Sequence, residues 1–229
     1  MNLLIGNKCY SSWSLRAWLL MRAKGIAFEE VLIPLDQPGF KEAILAHAPG
    51  SGGTMPMLID GEVAVWETLA IFEYLHETYP TLGIWPRDAA ARAHARAAVS
   101  EMHAGFMALR STCPMNLGKR FASRDRGAAV ARDAARINAL WRAARERFGM
   151  PAGGPYLYGE FCAADAMFAP VASRLDTYGI AVDSLCQDYC DVVLAHPAYR
   201  DWLEAALVEP WILDQDEVDE PALVDLRHV

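Results

Sequence analysis

The residues best suited to chemistry are four hydroxyl-bearing side chains near the start of the chain: Tyr10, Ser11, Ser12 and Ser14. They follow the apolar run Leu3-Leu4-Ile5, which predicts a strand, and they lie where a helical pattern begins. The first N–H groups of a helix have no partner within the helix, so this junction suits the binding of an anion such as a thiolate. Ordinary N-capping by serine is the alternative interpretation of the same residues.

The elements around these hydroxyl groups alternate between strand and helix. The patterns predict helices at 14–24, 39–47 and 68–78, and strands at 27–33, 55–59 and 63–66. The pair Asp60-Gly61 is typical of a tight hairpin turn between the last two strands, and Pro56 stands at the head of a strand, where a missing N–H is tolerated. A β-α-β unit followed by a hairpin and a helix predicts a mixed sheet covered by helices.

The remainder of the chain loses this alternation and is rich in Ala, Arg and Glu. We therefore expect two domains, residues 1–82 and residues 87–229, of which the second is all-helical. Further helices are predicted at 163–178, 185–195 and 197–208, and we expect the acidic tail 214–229 to be poorly ordered. A helix is also predicted earlier in this domain, where apolar residues and one histidine follow helical spacing: Val99, Met102, His103, Phe106 and Leu109.

Composition excludes several classes of function. The net charge of -8 argues against nucleic-acid binding, and no apolar run approaches the ~20 residues that a membrane span needs. The five cysteines contain no CxxC pair, which fits a reducing compartment better than a disulfide framework. No export signal or metal-ligand spacing is visible, so we expect a cytoplasmic protein without a metal, a membrane or a nucleic-acid partner.

The order of elements and four short motifs make the chain resemble the cytosolic glutathione transferase superfamily. The run from Ser11 to Arg16, SSWSLR, is similar to the SSCSWR run of the zeta class. The second motif, Met55-Pro56-Met57-Leu58, is similar to the family's Val-Pro-x-Leu, whose proline is cis. The third, the run from Glu67 to Leu75, is similar to Glu-Ser-x-Ala-Ile-x-x-Tyr-Leu. The fourth, Cys162-Ala163-Ala164-Asp165, is similar to Ser/Thr-x-Ala-Asp. The resemblance implies a thioredoxin-like βαβββα domain followed by an all-helical domain.

This resemblance implies a transferase that activates the glutathione thiolate for attack on a small hydrophobic electrophile. Met55, which precedes Pro56, is expected to pair with the cysteinyl backbone of glutathione, as an added strand would. Glu67 and Thr68 are expected to hold the γ-glutamyl ammonium and carboxylate. Glutathione is thus the expected co-substrate, and the family's arrangement implies a homodimer.

Ser11 aligns with the family's catalytic serine and is expected to donate a hydrogen bond to the sulfur. Ser12, Ser14 and Tyr10 can each supply that donor instead, and other classes use a tyrosine near this strand end. Arg16 either stabilises the fold or adds positive potential near the sulfur. The helical domain is expected to supply the electrophile pocket, although the helical spacing of the following residues also suits a core: Met102, His103, Phe106, Met107 and Arg110.

Departures from the family pattern leave alternatives open. The insertion Ser51-Gly52-Gly53 lies in the loop expected to contact the glycine end of glutathione, and Cys162 replaces a hydroxyl-bearing helix cap. Asp165 is still expected to reach back to its own helix N-terminus, in a folding role.

The serine run is compatible with isomerisation of a maleyl-type acid. A glutathione-dependent thiol-disulfide oxidoreductase, with Cys9 as its cysteine, and a non-catalytic glutathione-binding protein are the other functions compatible with this fold.

Overall fold

The central strand of the N-terminal sheet, β1 (Asn2–Ile5), is apolar because helices cover both of its faces. The structure is a computed structural model that describes residues 1–227. Leu3 and Ile5 lie in the larger hydrophobic core, whereas Leu4 lies with Ile44 in a smaller core on the opposite face. This alternation places β1 between two layers of helices.

The other strands of this sheet are β2 (Glu29–Leu32), β3 (Met57–Asp60) and β4 (Val63–Trp66). The strand order is β2-β1-β3-β4, with β2 parallel to β1 and both remaining pairs antiparallel. The hairpin between β3 and β4 turns through Gly61, whose φ of +60° lies in the left-handed region that glycine adopts without strain. The predicted mixed sheet with its Asp60-Gly61 turn is confirmed.

Three helices cover the sheet. The helices α1 (Ser12–Ala23) and α3 (Thr68–Thr78) contribute to the larger core, and α2 (Phe40–His47) places Ile44 in the smaller one. The helix α1 begins two residues earlier than the pattern predicts, so Ser12 belongs to its first turn.

The rest of the chain is mainly helical, in the order α4 (Ala89–Ala104), α5 (Met107–Thr112), α6 (Ala128–Ala144), α7 (Ala163–Thr177), α8 (Ser184–Leu194) and α9 (Pro197–Leu207). A π-helical turn at Arg145–Gly149 follows α6, and a 3-10 turn lies at Asp214–Asp216. Nearly every residue of α7 is buried, and α7 packs against α1, α4 and α8. Within residues 1–227, no helix is long and apolar enough to cross a membrane.

The expected continuous helix from Val99 to Leu109 is wrong. The helix α4 ends at Ala104, and Phe106 adopts a φ of +56° before α5 begins. A Cβ atom on Gly105 would lie 2.7 Å from the carbonyl oxygen of Glu101, so the close approach at this break requires glycine. The break separates the side chains that the helical spacing had placed on a single face.

The expectation of a poorly ordered tail is also wrong for the described residues up to 227. A strand β6 (Ala222–Asp225) pairs with β5 (Lys119–Phe121) in a second, two-stranded sheet that the sequence analysis did not predict. The side chain of Glu220 is 7% exposed and forms ion pairs with Arg124 and Arg126 at 2.7 and 2.8 Å, which fixes the acidic tail against the helical domain. His228 and Val229 lie outside the described residues.

The N-terminus of α7 is held by Asp165, as the sequence predicts. Its carboxylate accepts hydrogen bonds from the backbone N–H groups of Cys162 at 2.8 Å and Leu157 at 3.1 Å. Complete burial raises the pKa of Asp165 from its ordinary value of 3.8 to about 6, against the lowering effect of those N–H groups. Asp165 therefore acts in folding, and it links the stability of the fold to pH.

We predict that Asp165→Asn flattens the pH dependence of the free energy of unfolding. Between pH 3.8 and about 6 the folded carboxyl holds a proton that the unfolded chain has released. Below that window the raised pKa contributes its full amount, roughly 3 kcal/mol, to the free energy of unfolding, and this contribution is lost as the pH rises through the window. Urea unfolding across this window measures the slope. Asp188→Asn, at an exposed site, should retain the wild-type slope, and an equal slope in Asp165→Asn would contradict the prediction.

Candidate functional site

The hydroxyl cluster lies on the loop that joins β1 to α1. The carbonyl oxygen of Asn7 accepts hydrogen bonds from the N–H groups of Tyr10 at 3.3 Å and Ser11 at 2.8 Å, which turns the chain into the helix. Ser11 occupies the N-cap position of α1, but its hydroxyl makes no capping hydrogen bond. The simple capping interpretation therefore does not describe Ser11, whose hydroxyl contacts a side chain instead.

Ser11 and Ser14 form a hydroxyl pair, with their Oγ atoms 2.8 Å apart. The Oγ of Ser14 also accepts a hydrogen bond from the N–H of Gly6 at 3.0 Å. In this pair the Ser11 hydroxyl donates to Ser14. Each hydroxyl can rotate and act as donor or acceptor, so Ser14 can instead donate to Ser11, which leaves the Ser11 proton for a ligand. Ser12 lies beside the pair in the first turn of α1, and both Ser11 and Ser12 are 9% exposed.

The hydroxyl of Tyr10 points to a different partner. It donates a hydrogen bond to Glu217 at 2.6 Å, and Arg227 donates to the same hydroxyl. Burial and the Glu217 carboxylate both raise the pKa of Tyr10. The neighbouring Cys9 thiol is 1% exposed, and its pKa is raised chiefly by burial. Tyr10 is thus engaged by the C-terminal segment, and Cys9 lies in a setting that disfavours a thiolate.

A second loop, between β4 and α3, meets the first one. The hydroxyl of Thr68 lies 3.4 Å from the carbonyl oxygen of Trp13, so the N-termini of α1 and α3 are side by side. Glu67 has a φ of +71°, and its exposed carboxylate lies 4.0 Å from Nε2 of His103. The structure thus brings the predicted residues Glu67 and Thr68 to the serine loop.

The peptide bond between Met55 and Pro56 is cis, as the family resemblance implies. Pro56 is buried directly before β3, and the half-buried side chain of Met55 packs against the smaller core. In the inserted segment, Ser51 is buried and its Oγ accepts a hydrogen bond from the N–H of Gly53 at 3.3 Å. The insertion therefore forms a turn with an internal hydrogen bond before the cis proline.

Trp13 is a site residue that the sequence analysis did not identify. Its indole is half-buried and lies 4.3 Å from the guanidinium carbon of Arg16 and 4.9 Å from that of Arg110. The ring of His103 lies 5.1 Å from the indole. The available signal was a large aromatic residue in a polar first helical turn, where a core role is not required. Trp13 connects the serine loop to the helical domain.

Arg16 is inside the protein, with 1% exposure. Its guanidinium donates to the carbonyl oxygens of Met167 at 2.8 Å and Ser12 at 3.0 Å. Among residues 1–227 it has no ion pair with a carboxylate. Burial, together with the charges of Arg174 and Arg110, lowers the pKa of Arg16. Arg16 therefore both supports the fold and brings positive charge beneath the serine loop.

The residues expected to line an electrophile pocket divide into two groups. Met102 and Phe106 are buried in the core, whereas His103, Met107 and Arg110 are at least partly exposed, and His103 and Arg110 lie beside Trp13. Met107 is 60% exposed. The break at Gly105 produces this division, because it redirects the chain between α4 and α5.

Two other features bear on the location of the site. Within residues 1–227, no group of three or more His, Cys, Asp or Glu side chains is placed to hold a metal ion. An open groove of about 1130 Å³ lies between the segments 82–91 and 147–162, and none of the predicted site residues lines it. The predicted residues Ser11, Glu67 and Thr68 lie instead near the junction of α1, α3 and α4.

Comparison with known proteins supports the family resemblance. Residues 10–78 match the family model described as "Glutathione S-transferase, N-terminal domain". A probable maleylacetoacetate isomerase from Caenorhabditis elegans is 34% identical over 87 residues, covering 38% of this chain and 40% of that protein. A probable maleylacetoacetate isomerase from Vibrio cholerae is 31% identical over 98 residues, covering 42% of this chain and 46% of that protein. The matched region thus spans less than half of each relative.

Solved structures match over almost the whole chain. A glutathione transferase homologue from Burkholderia with bound glutathione has a TM-score of 0.65 at 23% identity, covering 90% of this chain and 96% of that one. A maleyl pyruvate isomerase, described as a bacterial zeta-class glutathione S-transferase, has a TM-score of 0.64 at 24% identity, covering 92% and 99%. These likenesses confirm the predicted fold class, and the family match shows that residues 10–78 are similar to the N-terminal domain of glutathione S-transferases.

Proposed function

We propose that this protein is a glutathione transferase that stabilises the glutathione thiolate and directs it to a small hydrophobic electrophile. The observation that carries the proposal is the Ser11–Ser14 hydroxyl pair, with Oγ atoms 2.8 Å apart beside the N-terminus of α1. A free thiol has a pKa of ~8.5, and hydrogen-bond donors and helix N-termini lower it. Each unit of lowering corresponds to ~1.4 kcal/mol in favour of the thiolate.

Ser11 is the favoured donor to the sulfur because Ser14 can supply a proton to Ser11 while it accepts from the Gly6 N–H. Ser12 is an alternative donor in the same turn. The hydroxyl of Tyr10, in contrast, already donates to Glu217 at 2.6 Å, which makes Tyr10 a weaker candidate. Serine is a thiolate stabiliser in this mechanism, and the nucleophile is the glutathione sulfur.

The remaining contacts of glutathione follow from the second loop. The backbone of Met55, before Pro56, pairs with the cysteinyl residue in the manner of an added strand. The Thr68 hydroxyl and the N-terminus of α3 receive the γ-glutamyl carboxylate, and the exposed carboxylate of Glu67 receives the ammonium group. His103 and Arg110 face the electrophile, because they lie beside Trp13 on the side of the helical domain, and Met107 lies next to Arg110.

The thiol-disulfide alternative receives little support from Cys9. Its thiol is 1% exposed, and burial raises its pKa, whereas disulfide exchange needs an accessible, low-pKa thiol. Non-catalytic glutathione binding differs from the proposal only in turnover, so rate measurements separate the two.

Isomerisation of a maleyl-type acid is a second candidate activity. The guanidinium of Arg110 lies over Trp13 at 4.9 Å, and its hydrogen-bond acceptors in the structure are uncharged: the His103 carbonyl oxygen at 3.4 Å and the Met107 sulfur at 3.7 Å. A guanidinium with free donors in a cleft suits a substrate carboxylate. The two probable maleylacetoacetate isomerases that resemble part of this chain also favour this activity.

A cytoplasmic homodimer completes the proposal. All five cysteines are free and buried, which suits a reducing compartment. Val63 and Trp66 on edge strand β4 are 44% and 37% exposed, and they offer apolar area to a second copy of the chain. A two-fold dimer is the commonest closed arrangement of identical chains.

We predict that Ser11→Ala lowers turnover more than it weakens glutathione binding. The loss of one hydrogen bond to a charged group costs ~1.5–3 kcal/mol, or roughly 10- to 150-fold in rate. Ultraviolet titration of the bound thiol and the rate of conjugation to an aryl halide measure the effect. Tyr10→Phe is the matched comparison and should change the thiol pKa little. If Ser11→Ala changes neither quantity while Tyr10→Phe raises the pKa, the role belongs to Tyr10.

We predict that Arg110→Gln lowers kcat/KM for a maleyl-type acid by at least about tenfold. The value for a neutral aryl halide should change much less, because only the acid carries a carboxylate that the guanidinium can bind. Arg132→Gln, at an exposed position on α6, removes the same charge and should leave both rates unchanged. An equal loss of kcat/KM for both substrates would contradict the proposal that Arg110 binds an anionic electrophile.

We predict that the chain sediments as a dimer and that Trp66→Glu shifts it toward the monomer, because a charge on the apolar edge disfavours burial there. Glu62→Gln, an exposed change in the adjacent turn, is the control. A wild-type chain that remains monomeric at every concentration would contradict the proposed dimer.

A further inference from the structure

The loop that carries the catalytic serine is anchored by a residue near the other end of the chain. The two carboxylate oxygens of Glu209 accept hydrogen bonds from consecutive backbone N–H groups, at 2.9 Å from Lys8 and 3.2 Å from Cys9. Glu209 is 7% exposed and lies just after α9. A single buried carboxylate thus joins the helical domain to the segment between β1 and Ser11.

Neighbouring contacts complete the anchor. The indole N–H of Trp202 donates to the carbonyl oxygen of Lys8 at 2.9 Å, and the N–H of Leu117 donates to the carbonyl oxygen of Cys9 at 3.2 Å. All four backbone polar groups of Lys8 and Cys9 are therefore bound by residues of the helical domain. Buried backbone groups require such partners, so the position of this segment is set from outside the N-terminal sheet.

The anchored segment is directly connected to Ser11. The carbonyl oxygen of Asn7, just before the anchored pair, accepts from the N–H of Ser11 at 2.8 Å. On the other side of Ser11, Ser14 is tied to Gly6 through its Oγ at 3.0 Å. A shift of Lys8 and Cys9 would consequently displace the Ser11 hydroxyl relative to a bound sulfur.

We infer that Glu209 is a positioning residue, which holds the β1–α1 loop so that the Ser11 hydroxyl meets the glutathione sulfur. The inference rests on the proposed function and adds a residue of the helical domain to the thiolate site. Glu209 acts through the loop and does not touch glutathione. Glutamine has the same shape but only one accepting oxygen, and its NH2 group is a donor. In Glu209→Gln, one of the two backbone N–H groups therefore faces another donor and loses its hydrogen bond.

The test compares Glu209→Gln with Glu204→Gln, which removes an exposed carboxylate from α9 and should behave as wild type. For each folded protein, calorimetry gives glutathione affinity, ultraviolet titration gives the pKa of the bound thiol, and an aryl halide assay gives kcat. Glu209→Gln should raise the bound thiol pKa and lower kcat by about 10- to 100-fold, since a displacement of ~1 Å suffices for such a loss. Glutathione affinity should change much less, because the γ-glutamyl contacts remain.

A lower melting temperature with unchanged thiol pKa and kcat would overturn the inference and leave Glu209 a structural residue. Trp202→Phe provides a second variant, which keeps a smaller aromatic ring in the core but removes the hydrogen bond to Lys8. If Glu209→Gln does not fold, an unchanged thiol pKa in Trp202→Phe overturns the inference, and a raised pKa supports it.

If wild type does not lower the thiol pKa at all, the proposed function itself fails. If Ser11→Ala raises the pKa and Glu209→Gln does not, only the positioning role fails.

Discussion

The backbone between β1 and α1 is buried, and every N–H and C=O group in a buried segment needs a hydrogen-bond partner. A helix supplies these partners from within itself and a strand finds them on its neighbours, but a short loop has neither source. Here the partners are side chains and turns of the helical domain, among them Glu209 and Trp202, while Ser14 satisfies the N–H of Gly6. The hydroxyl geometry at Ser11 follows from this requirement.

Arginine side chains set the electrostatic surroundings of the same loop. The burial of a cation without a carboxylate is ordinarily costly, and Arg16 offsets part of that cost through carbonyl oxygens and the face of Trp13. Arg110 lies against the same indole, and Arg174 adds a further buried positive charge. The charges of Arg174 and Arg110 both act on Arg16, so positive charge is concentrated beneath the serine loop.

The sequence predicts the features that depend on neighbours along the chain. The strand-to-helix junction at Ser11, the helix start at Thr68 and the reach of Asp165 to its own helix N-terminus all follow from local patterns, and the structure places each of them there. The role of Trp13 and the anchor at Glu209 could not be predicted in this way, because both depend on contacts between the two halves of the chain. The ordered tail was missed for the same reason: its charged partners are remote in sequence.

The separation of Glu209 from Lys8, 201 positions along the chain, has a consequence for the course of folding. The contacts of the N-terminal sheet are comparatively local and can form early, whereas closure of so long a loop carries an entropic cost and slows the contacts that depend on it. The serine loop would then reach its final geometry in a late step, after the helical domain has docked. During synthesis, the N-terminal domain would leave the ribosome with its sheet complete and its serine loop not yet in its final geometry.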